Sequence, residues 1–261
     1  GWIETRTYRE MALMSHLVEI THNIISEAFS TAVITPGVTT TTEVEWWMRQ
    51  KVTDLGLDTW FHPTVDIQRS AEKLEGHLYS FSDRPENSVI LPGDLLHCDF
   101  GITYLRLNTD CQQLAYVLKP GETEAPEFLR EALKKGNQVQ DFLTSNMKEG
   151  LTGNEILSNS LSAARSAGLR PAIYTHPLGS YGHSAGTTIG MWDAQGGVMR
   201  DDGDTYTLRP NTVYAIELNT TVSLDAWGRD IRVMLEEAGY FGPEGFRYVS
   251  GRQTQLHLIP R

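Results

Sequence analysis

The chain repeats itself, and that constrains its fold more than any other feature. Apolar residues Leu13, Leu17, Ile20, Ile24 and Ala28 recur at spacings of four and three, predicting one helix from Thr7 to about Thr31. Thr35-Pro36-Gly37 breaks it. A second helix follows, opened by a Thr40-x-x-Glu43 capping box and ending near Gly56. Downstream the order returns: Ala125 to Met147 is helical in pattern, Gly150 breaks it, Thr152-x-x-Glu155 caps the next helix, and Gly168 ends it. His62-Pro63 follows the first pair and His176-Pro177 the second. Later, Pro92 and Pro210 each open a turn into a strand, with Asp99 and Glu217 seven residues on. The offsets between copies are 113 for Gly37 and Gly150, 114 for the His-Pro pairs and 118 for these prolines. Three ordered matches at nearly constant offset point to one helix-helix-strand unit used twice, against a chance recurrence of helix breaks and proline turns.

A chain of 261 residues fits one large domain or two modest ones. Its 40% hydrophobic and 21% charged residues exclude wholesale disorder. With 22 Lys+Arg against 33 Asp+Glu, the net charge of −11 argues against a nucleic-acid partner. Without a run of 18 apolar residues, no membrane-spanning helix is predicted. Cys98 and Cys111 are too few for a disulfide framework and leave the redox compartment open. Gly1-Trp2-Ile3-Glu4-Thr5-Arg6 lacks the basic start and apolar core of a signal peptide, and also an initiating Met. The chain therefore reads as a piece of a longer protein whose location is unknown. We expect one domain over residues 1–261, in halves of about 1–120 and 121–261. Ser70 to Asn87, polar and turn-rich, is expected as a loop near the site.

Acids in strand-like, apolar surroundings suggest the chemistry. Asp99 closes Leu95-Leu96-His97-Cys98, Asp110 lies eleven residues on, Glu217 ends Val213-Tyr214-Ala215-Ile216, and Glu236 follows Ile231-Arg232-Val233-Met234-Leu235. A buried lone carboxylate costs several kcal/mol unless paired, hydrogen-bonded or bound to a metal. Any one of these acids could be an exposed strand end or an ion pair with Arg106, Arg229 or Arg232; four together favour a shared cation. His183, in Tyr181-Gly182-His183-Ser184-Ala185-Gly186, adds an imidazole where glycines let backbone approach closely. One nitrogen and four carboxylates suit divalent ions such as Mn²⁺, Co²⁺ or Zn²⁺ better than a thiolate zinc site would.

The order Asp99, Asp110, Gly-His183-x-x-Gly, Glu217, Glu236 resembles the pita-bread metallopeptidases, which include methionine aminopeptidases, Xaa-Pro aminopeptidases, prolidases and the metal-free creatinase. Pro92-Gly93-Asp94 leading to Asp99-Phe100-Gly101 resembles the Xaa-Pro branch. The resemblance covers nearly the whole chain. It implies an α+β fold with a curved, mostly antiparallel sheet flanked by helices, in two pseudo-symmetric halves. It also implies two divalent ions, Mn²⁺ first and Co²⁺ or Zn²⁺ as alternatives, a peptide substrate, and room for a homodimer. Asp99 would hold one ion through both oxygens, and Asp110 and Glu236 would bridge. His183 and Glu217 would complete the other ion, with Glu217 also moving the proton of the nucleophilic water. A hydroxide shared by the ions would attack the peptide carbonyl.

Departures from the family pattern bear on the substrate. The family often has a second histidine shortly before its metal histidine; the position four before His183 is Gly179. His176, seven before, either donates to the developing oxyanion or merely begins a proline turn. Where the family tends to a Val-His-Glu-like segment, this chain has Gly190-Met191-Trp192-Asp193, so the pocket differs. The family's Arg usually stands two residues before the last ligand; Arg232 stands four before Glu236, still on the same strand face. Leu235-Glu236-Glu237 resembles the family's apolar-Glu-acid order, which selects Glu236 over Glu237, although a one-residue slip would reverse them.

Trp192 is the aromatic expected nearest a substrate proline, and His77 is either a substrate-facing or a solvated loop histidine. His97 shares the face of Asp99 and is either a support to the ligands or a partly buried strand residue. Cys98 and Cys111 are expected as core fillers, and Trp46, Trp47 and Trp60 as packing residues. The leading expectation is an exopeptidase cleaving between an N-terminal residue and proline, as an Xaa-Pro aminopeptidase or prolidase. A methionine aminopeptidase-like enzyme and a non-catalytic binding module are the alternatives.

Overall fold

The computed structural model describes residues 1–70, 88–191, 195 and 206–260. Among the described residues, three of the four α-helices open on capping boxes, two of them at the boxes the sequence places. Helix α1 (Tyr8–Ala28) starts at Thr7, whose hydroxyl accepts from Glu10 N while the Glu10 carboxylate accepts from Thr7 N. The same reciprocal box opens α2 (Thr41–Asp54) with Thr40 and Glu43, and α4 (Gly153–Ser166) with Thr152 and Glu155. Each N-cap contributes about 1 kcal/mol. Helix α3 (Glu127–Asn146) has no side-chain cap and depends on its buried stripe, including Leu129, Ala132, Leu133, Val139 and Leu143.

In the first half, β1 (Thr64–Gln68), β2 (Leu95–Phe100), the short hairpin β3 (Thr103–Tyr104) and β4 (Leu107–Asn108), and β5 (Cys111–Val117) follow α1 and α2. In the second, β6 (Pro171–Ile173), β7 (His176–Leu178), β8 (Thr212–Ala215), β9 (Leu218–Leu224), β10 (Arg229–Leu235), β11 (Ala238–Gly242), β12 (Gly245–Tyr248) and β13 (His257–Ile259) follow α3 and α4. Hydrogen bonding gives the strand orders β1-β2-β5-β13, β10-β9-β6 and β12-β11-β8-β7, with β3-β4 as a hairpin apart. All pairs are antiparallel except β13 with β5. An isolated bridge between Gln112 and Glu236 ties the first sheet to the end of β10.

Strand alternation assigns the two faces. Leu96, Cys98 and Phe100 of β2 and Cys111 of β5 pack with Leu17, Ile25, Phe29, Val44 and Met48 of the first helix pair and its turn. Helix α4 and the end of α3 close a second cluster with Ile173, Tyr214 and Ile216, and α3 a third with Leu114, Val233 and Leu235. Each fully buried large apolar side chain contributes roughly 1.5–3 kcal/mol. On the face of β2 and β5 opposite the first cluster, His97, Asp99 and Gln112 alternate with Leu95 and Leu114 of the third. Among the described residues, no helix is long and apolar enough to cross a membrane.

Candidate metal centre

Four of the expected acids converge from separate elements. Asp99 lies on β2 and Asp110 immediately before β5; Glu217 and Glu236 occupy the short junctions after β8 and β10. Asp99, Asp110 and Glu236 bring one carboxylate oxygen each within 4.8 Å of one another, and His176, Glu217 and Glu236 form a second such trio. The register explains the convergence. Asp99 pairs with Gln112 across β2 and β5, and Gln112 pairs with Glu236, so their side chains share one face. Glu237 points to the other face, where its carboxylate takes Gln113 Nε2 at 2.9 Å and His22 Nε2 at 2.6 Å.

The histidine among the acids is His176, on β7. Its Nε2 lies 3.4 Å from Glu236 Oε1 and 3.8 Å from both Asp110 Oδ2 and Glu217 Oε2. Nδ1 lies 3.2 Å from the Pro177 carbonyl, which can only accept; Nδ1 therefore carries the hydrogen and Nε2 presents a lone pair to the carboxylates. Burial holds the imidazole down to about 4, hence neutral. His183 is more open. Its ring centre is 4.2 Å from that of His176 and 5.7 Å from that of Trp60, and among the described residues it joins the acids in one trio, with Asp110 and His176.

Burial, reinforced by neighbouring carboxylates, pushes Asp110, Glu217 and Glu236 well above the usual carboxylate range. Asp110 Oδ1, His176 Nε2 and Glu236 Oε1 are buried without a hydrogen-bond partner. Acceptors gathered against one another and against a lone pair are relieved only by a proton or a cation between them. Four oxygen donors and one imidazole fit a hard or borderline divalent ion. The residues present therefore fit the metal that the sequence implied.

Arg232 lies on the same strand face as Met234 and lines a cavity with Gln112, Tyr174, Glu217 and Asn219. Burial lowers its pKa, while the charges of Glu217 and Asp66 favour its charged form. His97 is buried, with Nε2 2.9 Å from Gln112 Oε1 and Nδ1 3.3 Å from Asp66 Oδ2. Trp192, His77 and most of the Ser70–Asn87 stretch lie outside the described residues.

Three neighbours of the centre escaped the sequence reading. Trp60 donates its indole N–H to the Thr109 carbonyl at 2.9 Å and stands beside His183 rather than serving only as packing. Gly182 permits this, since a Cβ there would fall onto the Trp60 ring. The Tyr174 ring centre lies 5.4 Å from His176 and 5.8 Å from His183. Gln112 donates to both glutamates of the centre. Its position two residues after Asp110 on a strand, hence on the same face, was the available signal.

Two like halves, each helix-helix-strand, meeting over a buried carboxylate-histidine centre define the pita-bread fold. Residues 12–240 match the model of metallopeptidase family M24, and the chain belongs to that family, which is metal-dependent. Solved structures agree on the fold. An X-Pro aminopeptidase from Thermotoga maritima superposes with a TM-score of 0.73 at 16% identity, covering 99% of this chain and 65% of that one. Prolidase from Pyrococcus furiosus gives 0.67 at 17%, covering 97% and 66%. Methionine aminopeptidase from Rickettsia prowazekii gives 0.68 at 13%, covering 95% and 100%. The chain thus spans about two thirds of the X-Pro aminopeptidase and prolidase chains and all of the methionine aminopeptidase chain. No curated protein matches it in sequence.

Proposed function

We propose that this chain carries the active site of a metal-dependent exopeptidase that releases an N-terminal residue from a following proline, as an Xaa-Pro aminopeptidase or prolidase. The observation that carries this reading is His176 Nε2, a buried lone pair set 3.4–3.8 Å from three carboxylates. In this reading Asp99, Asp110, His176, Glu217 and Glu236 hold two divalent ions, with Mn²⁺ favoured over Co²⁺ and Zn²⁺. The two histidines exchange the roles first given to them: His176 is the ligand, and His183 the outer group. His183 then takes the place of the histidine that follows the ligand in the family's Val-His-Glu-like segment. Bound divalent ions supply Lewis acidity toward a carbonyl oxygen and lower the pKa of water.

The chain's own residues do the rest. Glu217 takes the proton of the attacking water and passes it to the departing proline nitrogen. His183 donates a hydrogen bond to the carbonyl oxygen as negative charge develops there. Arg232, across the cavity from Glu217, keeps the substrate side of the site cationic. The proline-stacking role of Trp192 and the substrate-facing role of His77 belong to this proposal and rest on the sequence alone.

Full coverage of the Rickettsia prowazekii methionine aminopeptidase chain favours a second reading, in which Met is the residue removed. One assay separates the two. Protein stripped with chelator and reloaded with Mn²⁺ is given an Ala-Pro peptide and a Met-Ala peptide, and the free amino acid is measured. Alanine release dependent on Mn²⁺ supports the first reading, and methionine release the second. Neither release, together with no metal uptake, refutes both and returns the chain to the class of binding modules.

A further inference from the structure

Gln112 does something the ligand set alone does not require. An –NH₂ group has two hydrogens, and both are used: Nε2 donates to Glu217 Oε1 at 2.9 Å and to Glu236 Oε2 at 2.8 Å. The remaining oxygens, Glu217 Oε2 and Glu236 Oε1, are the ones that face His176 Nε2 at 3.8 and 3.4 Å. One amide thus ties the two carboxylates together and fixes the rotation of each. Its own orientation is fixed from behind. Oε1 of Gln112 meets His97 Nε2 at 2.9 Å within the buried interior. The His97 ring is backed by Asp66, its partner across β1 and β2, at 3.3 Å. Turning the amide over would set its carbonyl oxygen against two carboxylates, so only one orientation is stable.

We propose that Gln112 is a positioning residue that fixes the orientation of the Glu217 and Glu236 carboxylates toward the ions, and that the Asp66–His97 pair holds Gln112 in the orientation that does so. The inference rests on the metallopeptidase reading above. A carboxylate freed of the amide can rotate, which spreads the positions its oxygens offer to an ion. Partners of this kind behind metal ligands typically alter metal affinity about 10- to 100-fold when removed.

The test compares the unaltered protein with Gln112→Leu, which keeps bulk but has no donors, and with His97→Leu, which leaves Gln112 in place but unoriented. Mn²⁺ binding is measured by calorimetry, and the Co²⁺-loaded proteins are compared by their visible absorption. Gln112→Leu is expected to bind Mn²⁺ roughly 10- to 100-fold more weakly and to shift the Co²⁺ bands. His97→Leu is expected to shift them in the same sense by less. A purely structural role would lower the melting temperature of the metal-free protein and leave the Co²⁺ spectrum unchanged; that result overturns the proposal. Should Gln112→Leu fail to fold, His97→Leu decides, and an unchanged spectrum there overturns it equally. If the unaltered protein takes up neither ion, the metallopeptidase reading has failed, and the positioning role falls with it.

Discussion

Substituting Glu236 by Gln should stabilise this protein without metal and deprive it of the stability that metal confers. Glu236 belongs to both trios of the centre, with oxygens within 4.8 Å of its neighbours. At an effective dielectric constant of about 20, two unit charges that far apart repel by roughly 3.5 kcal/mol. Burial and those neighbours already push the Glu236 carboxyl toward its neutral form, so a Gln recovers only part of this, about 1–2 kcal/mol. The amide also fits. Its carbonyl can keep the Gln112 bond, and its NH₂ can donate to the His176 lone pair that Glu236 Oε1 now opposes at 3.4 Å. For a chain of this size, 1 kcal/mol is worth about 2–4 °C, so metal-free Glu236→Gln should melt roughly 2–8 °C above the unaltered protein. Mn²⁺ at a hundred times its Kd should stabilise the unaltered protein by about 2.7 kcal/mol, or roughly 5–11 °C, and the variant by much less. The pH dependence has a definite sign. A carboxyl raised in the folded state binds its proton before the unfolded chain does, so metal-free protein gains stability as pH falls from neutral toward about 4.5. Glu236→Gln should flatten that slope. Thermal melts in chelator and in Mn²⁺ across this range read all three effects. A variant less stable in chelator, or one that keeps the full Mn²⁺ shift, would refute the reasoning.

The two histidines should separate ligation from chemistry. His176→Ala should abolish both the Mn²⁺-induced rise in melting temperature and turnover, whereas His183→Ala should keep the rise and lose turnover by about 10²–10³-fold; the reverse result would restore His183 as the ligand. On the opposite face, burial opposes the charge on His22, but the Glu237 carboxylate outweighs it and raises the imidazole pKa. The stability from that pair is present below about pH 6.5 and lost as pH rises through the raised value. His22→Ala should therefore destabilise by about 1–3 kcal/mol at pH 6 and by less at pH 9, and equal losses at both would exclude the pair as the source. At Gly101 a Cβ would meet the Thr109 carbonyl and the Trp60 indole nitrogen. Gly101→Ala should cost roughly 1–3 kcal/mol in denaturant unfolding and weaken Mn²⁺ binding by displacing Asp110. Unchanged Mn²⁺ affinity would mean the hairpin is not what sets Asp110.

How much of this was legible in the sequence depended on whether a signal was local. Capping boxes at Thr40/Glu43 and Thr152/Glu155 bind their own backbones three residues away, and they start α2 and α4 where the sequence places them. Asp99, Asp110, Glu217 and Glu236 stood out because a carboxylate in an apolar strand is costly wherever the strand goes. The histidines were harder, because glycines around His183 describe only its own backbone. What brings His176 among the acids is β7 pairing with β8, which sets it opposite Ala215, two residues before Glu217. That pairing spans 39 residues of chain, and no spacing within Tyr181–Gly186 contains it. Trp60 and Gln112 were missed for the same reason: each acts through a partner distant in sequence, Thr109 for one and Glu217 with Glu236 for the other. A buried amide also carries no charge, so its presence on a strand raises no electrostatic question until the carboxylates it separates are in view. The carboxylates of such a centre can therefore be read from what burial would cost them, but the histidine set among them and the groups that orient them emerge only from strand register.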